Sequence, residues 1–354
     1  MSKTLMIMAG GTGGHVYPAM AVADALLAQG WKIVWLCTEG GMENRLIANK
    51  DYQKAMITMR GVRGKGYLGW LLLPFNLLKA LAQSAQAMRQ HQPDVVLGMG
   101  GFAAFPGGLM AKLLGKPLLI HEQNSVAGLT NKVLAPLANR MVAAFPAAFG
   151  NKALLLGNPV RTDICKLATP AKRAQGRTGP LRLLVVGGSL GAQVLNEVLP
   201  LALAKLDKNT RPIVVHQAGE KHIAKLTQHY QQAAVQAEAK AFIDDMAAMY
   251  GWADLVICRA GALTVAELSA AGVASVLVPF PHAVDDHQTG NAHYLSDAGA
   301  ALLMPQNEFT VKNVASLLQG ITREQCLDMA IKARSLGMPD ATHKVAAICM
   351  ELAA

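Results

Sequence analysis

The sequence predicts an α/β protein made of two doubly wound parallel-sheet domains, each Rossmann-like. Three observations support this fold class. Short apolar segments of strand length alternate with helical segments along most of the chain. The alternation stops between Asn158 and Pro180 and then starts again. A glycine-rich loop follows the first strand of each half. Two similar domains are expected to face each other across a cleft, which is a common place for a ligand.

In the first half, apolar segments without alternation predict strands buried on both faces, as in a parallel sheet. Glycines or polar clusters end most of these segments, and longer segments between them have helical length. The predicted strands lie at residues 4–9, 31–37, 55–59, 94–98 and 118–121. The predicted helices lie at residues 16–28, 42–49, 74–91 and 102–114.

The second half repeats this order. We predict strands at residues 181–186, 253–258 and 274–279, and helices at 193–206 and 262–271. These elements define an N-terminal domain at residues 1–158 and a C-terminal domain at 181–339. Residues 159–180 are rich in proline, glycine, lysine and arginine and predict a linker. The sequence leaves open whether the last helix, within residues 340–354, packs back on the N-terminal domain.

Composition and charge restrict the function classes. Hydrophobic residues make up 52% of the chain, yet no apolar run reaches the ~18–20 residues of a membrane-spanning helix. The N-terminus lacks the layout of a signal peptide, and five scattered cysteines predict reduced thiols in a cytoplasmic protein. Residues 1–180 contain 20 lysines and arginines against 7 aspartates and glutamates. This basic half should meet an anionic partner. Nucleic acid is the weakest candidate because no binding motif appears.

The most informative stretch is residues 260–267, Ala-Gly-Ala-Leu-Thr-Val-Ala-Glu. It follows a predicted buried strand, and Gly261 permits a tight turn into a helix. Free amides at a helix start, near the carboxyl end of a strand, favour an anion such as phosphate. Glu267 lies one turn into the helix and can accept hydrogen bonds from ribose hydroxyls. The next predicted strand is followed by a loop at residues 285–291, which has too many polar side chains for a simple connection. Together these stretches predict a nucleotide site, and the alternative is an ordinary βαβ unit with a solvated loop.

The two glycine loops are Gly10-Gly11-Thr12-Gly13-Gly14 and Gly187-Gly188-Ser189-Leu190-Gly191. Neither matches a P-loop or the full dinucleotide fingerprint, although Glu39 keeps a nicotinamide site open. Each loop is either a simple tight turn or a phosphate-binding turn, and the matched pair favours phosphate. His15 follows the first loop, and an unperturbed pKa of roughly 6.5 suits a general base. The alternative is a histidine that only hydrogen-bonds the helix start.

Other motifs add little chemistry. His121 and Glu122 should point to opposite faces of a strand, whereas Asn124, just beyond the strand, is better placed for a ligand. No spacing of histidine, cysteine or aspartate predicts a metal site, and no cofactor is expected. No nucleophile-elbow motif supports a hydrolase.

One segment departs from the pattern of a soluble domain. A basic, glycine-rich loop at residues 60–66 precedes a cluster of aromatic and leucine side chains. Such clusters flanked by lysine and arginine suit the surface of an anionic membrane. The alternative is the buried start of a helix. The predicted membrane contacts are Tyr67, Leu68, Trp70, Leu71, Leu72 and Phe75.

Taken together, the motifs closely resemble the MurG family of bacterial glycosyltransferases over nearly the whole chain. The motifs that carry the resemblance occur in the family's order. They are Gly10 to His15, Gly98 to Gly101, His121 to Asn124, Gly157 to Arg161, Gly187 to Ser189, Phe242 to Met246, Arg259 to Thr264, and His287-Gln288.

The resemblance implies a GT-B architecture and a peripheral enzyme at the cytoplasmic face of the plasma (inner) membrane. It implies transfer of N-acetylglucosamine from UDP-N-acetylglucosamine to the 4-hydroxyl of an undecaprenyl-pyrophosphate-linked N-acetylmuramyl-pentapeptide, which yields lipid II for peptidoglycan. The implied partners are this donor, this acceptor and an anionic membrane surface. The implied donor contacts are Thr12, Gly13, Gly14, Asn124, Arg161, Ser189, Ile243, Ala262, Leu263, Thr264, Val265, Ala266, Glu267, Gln288 and Asn291.

Joined to the residues, the resemblance implies an inverting reaction in which the amides near Leu263 and the Ser189 hydroxyl stabilise the leaving UDP. His15 is then the expected general base. The N-terminal domain should take the acceptor and the membrane, and the C-terminal domain should hold the UDP-sugar. Two other functions stay open: a UDP-sugar epimerase, and a nucleotide-binding protein of the membrane surface without enzymatic activity.

Overall fold

A computed structural model describes residues 2–59, 73–188 and 191–354. The chain divides into two compact units. The first comprises Met1–Val160 and Asp340–Ala354, and the second comprises Arg161–Pro339. Each unit contains one parallel β-sheet with helices packed on it. The predicted α/β fold class with two parallel sheets is confirmed.

The first unit contains a seven-stranded sheet with strand order β3-β2-β1-β4-β5-β6-β7. Neighbouring strands pair in parallel throughout. Because β2 and β4 flank β1, the direction in which the chain winds reverses between β1 and β4. The strands are β1 Thr4–Met8, β2 Lys32–Thr38, β3 Gln53–Ile57, β4 Val95–Gly98, β5 Leu118–Glu122, β6 Arg140–Ala143 and β7 Leu154–Leu155.

The second unit contains a six-stranded parallel sheet with strand order β10-β9-β8-β11-β12-β13. Here β8 is flanked by β9 and β11, so the winding reverses between β8 and β11. The strands are β8 Arg182–Val186, β9 Ile213–Gln217, β10 Glu238–Lys240, β11 Leu255–Cys258, β12 Ala274–Leu277 and β13 Leu302–Leu303.

The helices connect these strands. In the first unit, the described helices are Gly13–Leu27, Met42–Leu46, Leu73–His91, Ala104–Leu113, Leu129–Leu134 and Ala341–Leu352. In the second unit, they are Thr162–Cys165, Pro170–Ala174, Gln193–Ala204, Ile223–Gln232, Met246–Trp252, Ala262–Ala271, His287–Ser296, Val311–Gly320 and Arg323–Leu336. Short 3₁₀ turns lie at Ala135–Leu137, Gly150–Lys152 and Val284–Asp286.

Strand β1 explains why the first unit needs helices on both faces. Successive side chains of a strand point to opposite faces. Leu5 and Ile7 therefore join one apolar cluster, and Met6 and Met8 join another on the other face. The first cluster also includes Val345, Ala346 and Cys349 of the Ala341–Leu352 helix. The end of the chain thus completes the core of the first unit.

The structure differs from the sequence prediction at residues 159–180. Two short helices, Thr162–Cys165 and Pro170–Ala174, occupy much of this stretch and belong to the second unit. Two of its arginine side chains bind groups of the second unit. Arg177 pairs with the buried Asp254 at 2.6 Å, and Arg173 donates to the carbonyls of Ala271 and Gly272. These carbonyls lie at the end of the Ala262–Ala271 helix, where a cation is favourable.

The segment at residues 285–291 also differs from the prediction of a polar loop. It forms a 3₁₀ turn, Val284–Asp286, followed by the helix His287–Ser296. Asp285 and Asp286 have φ angles of 53° and 48°, in the left-handed region that few residues other than glycine adopt. The helix carries Gln288, which is partly exposed, and Asn291, which is buried.

Candidate active site

The glycine loop of the first unit lies where the sheet winding reverses. Met8 of β1 and Gly98 of β4 are paired neighbours at the carboxyl ends of their strands. Residues 10–15 follow β1, and Gly100 and Gly101 follow β4. In open α/β sheets, ligands bind in the crevice at this point. The sequence alone predicts the loop, and the strand order adds its position.

The two loops approach each other closely. Gly101 has a φ of 81°, and a Cβ atom there would lie 2.5 Å from the carbonyl oxygen of Gly10. A Cβ atom at Gly100 would lie 3.3 Å from Cε1 of His15. Any side chain at Gly101 would thus clash with the first loop. The glycines let the backbone after β4 pack directly against the first loop and the His15 ring.

The helix after the first loop begins at Gly13, three residues earlier than predicted. Thr12 is the exposed N-cap residue, and no side-chain hydrogen bond caps this helix end in the described part of the chain. Gly13 and Gly14 therefore lie in the first turn, where amide groups lack partners within the helix. His15 lies in the same turn. This geometry brings Thr12, Gly13, Gly14 and His15 together at one helix start.

The His15 side chain is partly exposed and connects to a buried hydrogen-bond chain. Its Nδ1 atom lies 2.7 Å from Oε1 of Gln123. Nε2 of Gln123 lies 3.0 Å from Nδ1 of His121, and Nε2 of His121 lies 2.9 Å from the carbonyl oxygen of Gly157. His121 and Gln123 are almost fully buried. The chain therefore fixes one edge of the His15 ring from the interior.

Glu122 and Asn124 lie at the carboxyl end of β5. The buried carboxylate of Glu122 accepts hydrogen bonds from the amides of Asn124 and Gly128 at 2.9 and 3.0 Å, and from Nδ2 of Asn131 at 2.8 Å. These bonds fix the turn that carries Asn124. Glu122 thus acts as a structural acceptor, and Asn124 is the partly exposed member of this motif.

The second unit repeats this arrangement. Val186 of β8 and Cys258 of β11 are paired neighbours at the point where the winding reverses. The second glycine loop follows β8, and the turn at Gly261 follows β11 and opens the Ala262–Ala271 helix. Leu263, Thr264 and Ala266 are partly exposed, whereas Ala262 and Val265 are buried. Ser189 lies outside the described residues.

Glu267 lies in the second turn of the same helix, Ala262–Ala271. It is only 8% exposed, and its Oε2 atom accepts a hydrogen bond from the Tyr250 hydroxyl at 3.0 Å. Its Oε1 atom lies 3.5 Å from Nη2 of Arg161. Burial raises the pKa of Glu267, and the positive charge of Arg161 and the Tyr250 hydrogen bond oppose that rise. Two predicted site residues, Arg161 and Glu267, are thus in contact.

The remaining predicted donor contacts lie around the same end of the sheet. Gln288 accepts a hydrogen bond from the Phe280 amide at 2.9 Å, and the buried Asn291 donates to the carbonyl of Ala260 at 3.2 Å. Asn291 therefore ties its helix to the turn before Ala262. Ile243 is buried in the segment between β10 and the Met246–Trp252 helix.

Sequence reasoning missed three residues that position candidate site groups, one in the first unit and two in the second. Gln123 belongs to a quoted motif, but only the structure connects it to His15. Tyr250 lies in a mostly apolar segment and gave no signal of its contact with Glu267. Arg259 donates to the carbonyls of Val278 and Pro279 and to Gln306, which holds the turn after β12. An arginine at the end of an apolar strand is the signal that could have indicated this role.

The predicted membrane segment lies mostly outside the described residues. Tyr67, Leu68, Trp70, Leu71 and Leu72 belong to residues 60–72. Phe75 is described and is 72% exposed on the helix Leu73–His91, together with Leu78 at 64%. Lys79 is exposed beside them. Within the described ranges, we find no helix with the length and hydropathy needed to cross a membrane.

Family models match both units. Residues 5–143 match the N-terminal domain of glycosyltransferase family 28, and residues 182–345 match its C-terminal domain. Two relatives are 56% and 58% identical to this chain, and each alignment covers the full length of both proteins. They come from Nitrosospira multiformis and Dechloromonas aromatica. Matches of this extent establish the family and not only the fold.

The crystal structure of MurG from Acinetobacter baumannii superposes on this chain with a TM-score of 0.87 at 42% identity, covering 99% of each chain. Both relatives are named UDP-N-acetylglucosamine–N-acetylmuramyl-(pentapeptide) pyrophosphoryl-undecaprenol N-acetylglucosamine transferases. The chain therefore belongs to glycosyltransferase family 28 and, within it, to the MurG family of UDP-N-acetylglucosamine-dependent hexosyltransferases.

Proposed function

We propose that this chain transfers N-acetylglucosamine, with inversion, from UDP-N-acetylglucosamine to the 4-hydroxyl of N-acetylmuramyl-pentapeptide carried on undecaprenyl pyrophosphate. One observation carries this proposal beyond family membership. Each unit presents a helix start at the point where its sheet winding reverses, and a buried carboxylate, Glu267, lies behind the second one. Amides for phosphate beside a carboxylate for ribose suit a nucleotide.

In the proposed division of roles, the second unit holds the donor. The amides of Leu263 and Thr264 and the Ser189 hydroxyl bind the pyrophosphate, and Glu267 accepts from the ribose hydroxyls. Ala262, Val265 and Ala266 complete this segment, Ile243 contacts uracil through its main chain, and Gln288 and Asn291 contact the sugar. These groups stabilise the charge that develops on UDP as it leaves.

The first unit takes the acceptor in this proposal. The acceptor hydroxyl attacks the anomeric carbon, the bond from that carbon to the UDP oxygen breaks, and the hydroxyl proton passes to His15. Thr12, Gly13, Gly14 and Asn124 of this unit, and Arg161 of the second unit, are further proposed donor contacts. Positioning of both substrates supplies much of the rate enhancement. The product is the disaccharide lipid of peptidoglycan synthesis.

The function predicts UDP release that depends on the acceptor. We would measure UDP production from UDP-N-acetylglucosamine with and without a lipid-linked monosaccharide acceptor, and identify the lipid product by mass. Acceptor-dependent release with a disaccharide lipid is the expected result. Turnover of the donor in the absence of acceptor would instead indicate an epimerase or a hydrolase and contradict the proposal.

We further propose that the first unit binds the cytoplasmic face of the inner membrane. The supporting features are the exposed Phe75 and Leu78, the exposed Lys79 and the basic balance of residues 1–160, which contain 15 lysines and arginines against 6 aspartates and glutamates. Apolar side chains at the acyl boundary and cations near anionic headgroups act together in such binding. Contact with the membrane would bring the enzyme to a substrate that diffuses in the bilayer.

Replacing both Phe75 and Leu78 with serine is expected to weaken binding to anionic vesicles at least tenfold, because burying each side chain contributes about 1.5–3 kcal/mol. Sedimentation with phosphatidylglycerol vesicles measures this binding. The matched control is Leu201→Ser, which changes a 52% exposed leucine on a helix of the second unit. Equal binding of the double variant and the control would rule out this surface.

A further inference from the structure

A buried hydrogen-bond chain leads from Gly157 to His15, and its direction can be deduced from its first bond. Nε2 of His121 lies 2.9 Å from the carbonyl oxygen of Gly157. A backbone carbonyl only accepts hydrogen bonds, so the His121 proton must reside on Nε2. Burial lowers the pKa of His121 to about 4, which keeps this ring neutral near pH 7. Nδ1 of His121 is then an acceptor.

The orientation of the Gln123 amide follows from two contacts at one end. Its Nε2 atom lies 3.0 Å from the carbonyl oxygen of His121 and 3.0 Å from Nδ1 of the same residue. Both of these neighbours are acceptors, so this end of the amide is the NH₂ group. Oε1 of Gln123 therefore faces Nδ1 of His15 at 2.7 Å.

An amide oxygen cannot donate a hydrogen bond, so Nδ1 of His15 must carry the proton in this contact. The other ring nitrogen, Nε2, is then left with its lone pair. We propose that Gln123 and His121 are positioning residues that hold His15 in the tautomer whose Nε2 accepts a proton. This inference rests on the proposed role of His15 as the general base.

Further hydrogen bonds to the backbone of His121 and Gln123 hold the hydrogen-bond chain in place. Asn158 donates from Nδ2 to the carbonyl of Gln123 at 3.0 Å, and Asn131 donates to the carbonyl of His121 at 3.2 Å. His121 is 0% exposed and Gln123 is 1% exposed. Solvent therefore cannot reach the Gln123 amide to form the hydrogen bonds that a reversed amide would lack. If the Gln123 amide were flipped, its NH₂ group could donate to a bare Nδ1 of His15. Its oxygen would then face two acceptors, Nδ1 and the carbonyl oxygen of His121.

The hydrogen-bond chain behind His15 also remains intact during the proposed reaction. When the acceptor hydroxyl attacks, its O–H bond breaks and the proton goes to Nε2 of His15, while the electron pair of the broken glycosidic bond leaves with UDP. His15 becomes an imidazolium, and its Nδ1–H still donates to Gln123. Such partners behind a reactive histidine set both the tautomer and the ring orientation.

Nitrogen NMR of the full-length protein labelled with ¹⁵N-histidine tests the assignment without substrate. We expect His15 to show a protonated Nδ1 and a bare Nε2. In Gln123→Met, which keeps the approximate shape but removes the oxygen, we expect a mixture of tautomers. Turnover should fall roughly 10- to 100-fold with the donor KM unchanged. A neutral His15 ring with its proton on Nε2 and a bare Nδ1 in the unaltered protein would overturn the assignment.

Two further variants separate positioning from folding. Gln123→Glu retains an oxygen for Nδ1 of His15, and burial favours its protonated form, whose O–H donates to His121 in place of the amide NH₂. This variant should restore the single tautomer and raise turnover above that of Gln123→Met. The matched control is His216→Phe in the second unit, which also removes a fully buried histidine, one that bonds the Tyr230 hydroxyl at 2.8 Å. This control should change neither the His15 tautomer nor turnover.

The outcomes distinguish this inference from the proposed function. A single His15 tautomer that persists unchanged in Gln123→Met would overturn the role of Gln123, even if the enzyme makes disaccharide lipid. Absence of acceptor-dependent UDP release, with the expected tautomer present and dependent on Gln123, would overturn the proposed function and leave the tautomer assignment standing.

Discussion

The His15→Ala variant is expected to lose about 10²–10⁴-fold in turnover while its affinity for UDP stays close to that of the unaltered enzyme. The imidazole lies at the start of the Gly13–Leu27 helix and is held through Gln123, within the first unit. Removing it takes away the proposed proton acceptor and leaves the proposed UDP site of the second unit intact. Steady-state kinetics and calorimetric titration with UDP measure the two quantities separately.

The control is His91→Ala, which makes the same substitution at the end of the Leu73–His91 helix in the same unit. It should retain turnover, because this residue lies outside the site motifs. An equal loss of UDP affinity and turnover in His15→Ala would remove His15 from the chemistry. In that case the residue would serve the binding of substrate rather than the transfer of a proton.

Local signals were sufficient for much of the fold. Strand β1 and strand β11 are short and apolar on both faces, as parallel strands covered by helices must be. Both glycine loops could be found from their spacing. The strand order could not be read in the same way, because the pairing of β1 with β4 joins segments about 90 residues apart. That pairing is what brings Gly100 against His15.

Tertiary contacts also explain the two local errors. The His287–Ser296 helix has few apolar residues, so no periodic pattern identified it. Its buried face consists of Asn291, Ala292 and Leu295 only. Residues 159–180 have the composition of a linker, yet Arg177 is fixed by Asp254 far along the sequence. Composition indicates only whether a segment tends to form a helix or strand by itself. The contact between Arg177 and Asp254 exists only once the rest of the unit has folded.

The site shows the same division. Motifs singled out His15 and Asn124 in the first unit, because they follow a glycine loop and a strand end, and Glu267 in the second unit, because it lies one turn into the helix after Gly261. The groups that orient these side chains come from distant parts of the sequence. The Gly157 carbonyl bonds His121, which is linked through Gln123 to His15, and the Tyr250 hydroxyl bonds Glu267. Those orienting contacts depend on packing, and no sequence spacing encodes them.

The Glu267→Ala variant is expected to bind UDP-N-acetylglucosamine about 10- to 150-fold more weakly, because hydrogen bonds to a charged group contribute about 1.5–3 kcal/mol. The carboxylate is buried and already held by Tyr250 and Arg161, so little ordering is needed when ribose hydroxyls arrive. Calorimetric titration with the UDP-sugar gives the affinity. Tyr250→Phe is the matched control; it removes only the orienting hydroxyl and should have a smaller effect.

A weaker affinity alone would not prove a ribose contact, since the substitution also leaves Arg161 without its partner. The 2′-deoxy analogue of UDP resolves this ambiguity through a double-mutant cycle. If Glu267 accepts from the ribose, removing the 2′-hydroxyl should weaken binding to the unaltered protein but change little in Glu267→Ala. Equal losses in both proteins would mean that the carboxylate and the hydroxyl act independently, and the ribose would then have to be assigned to another group.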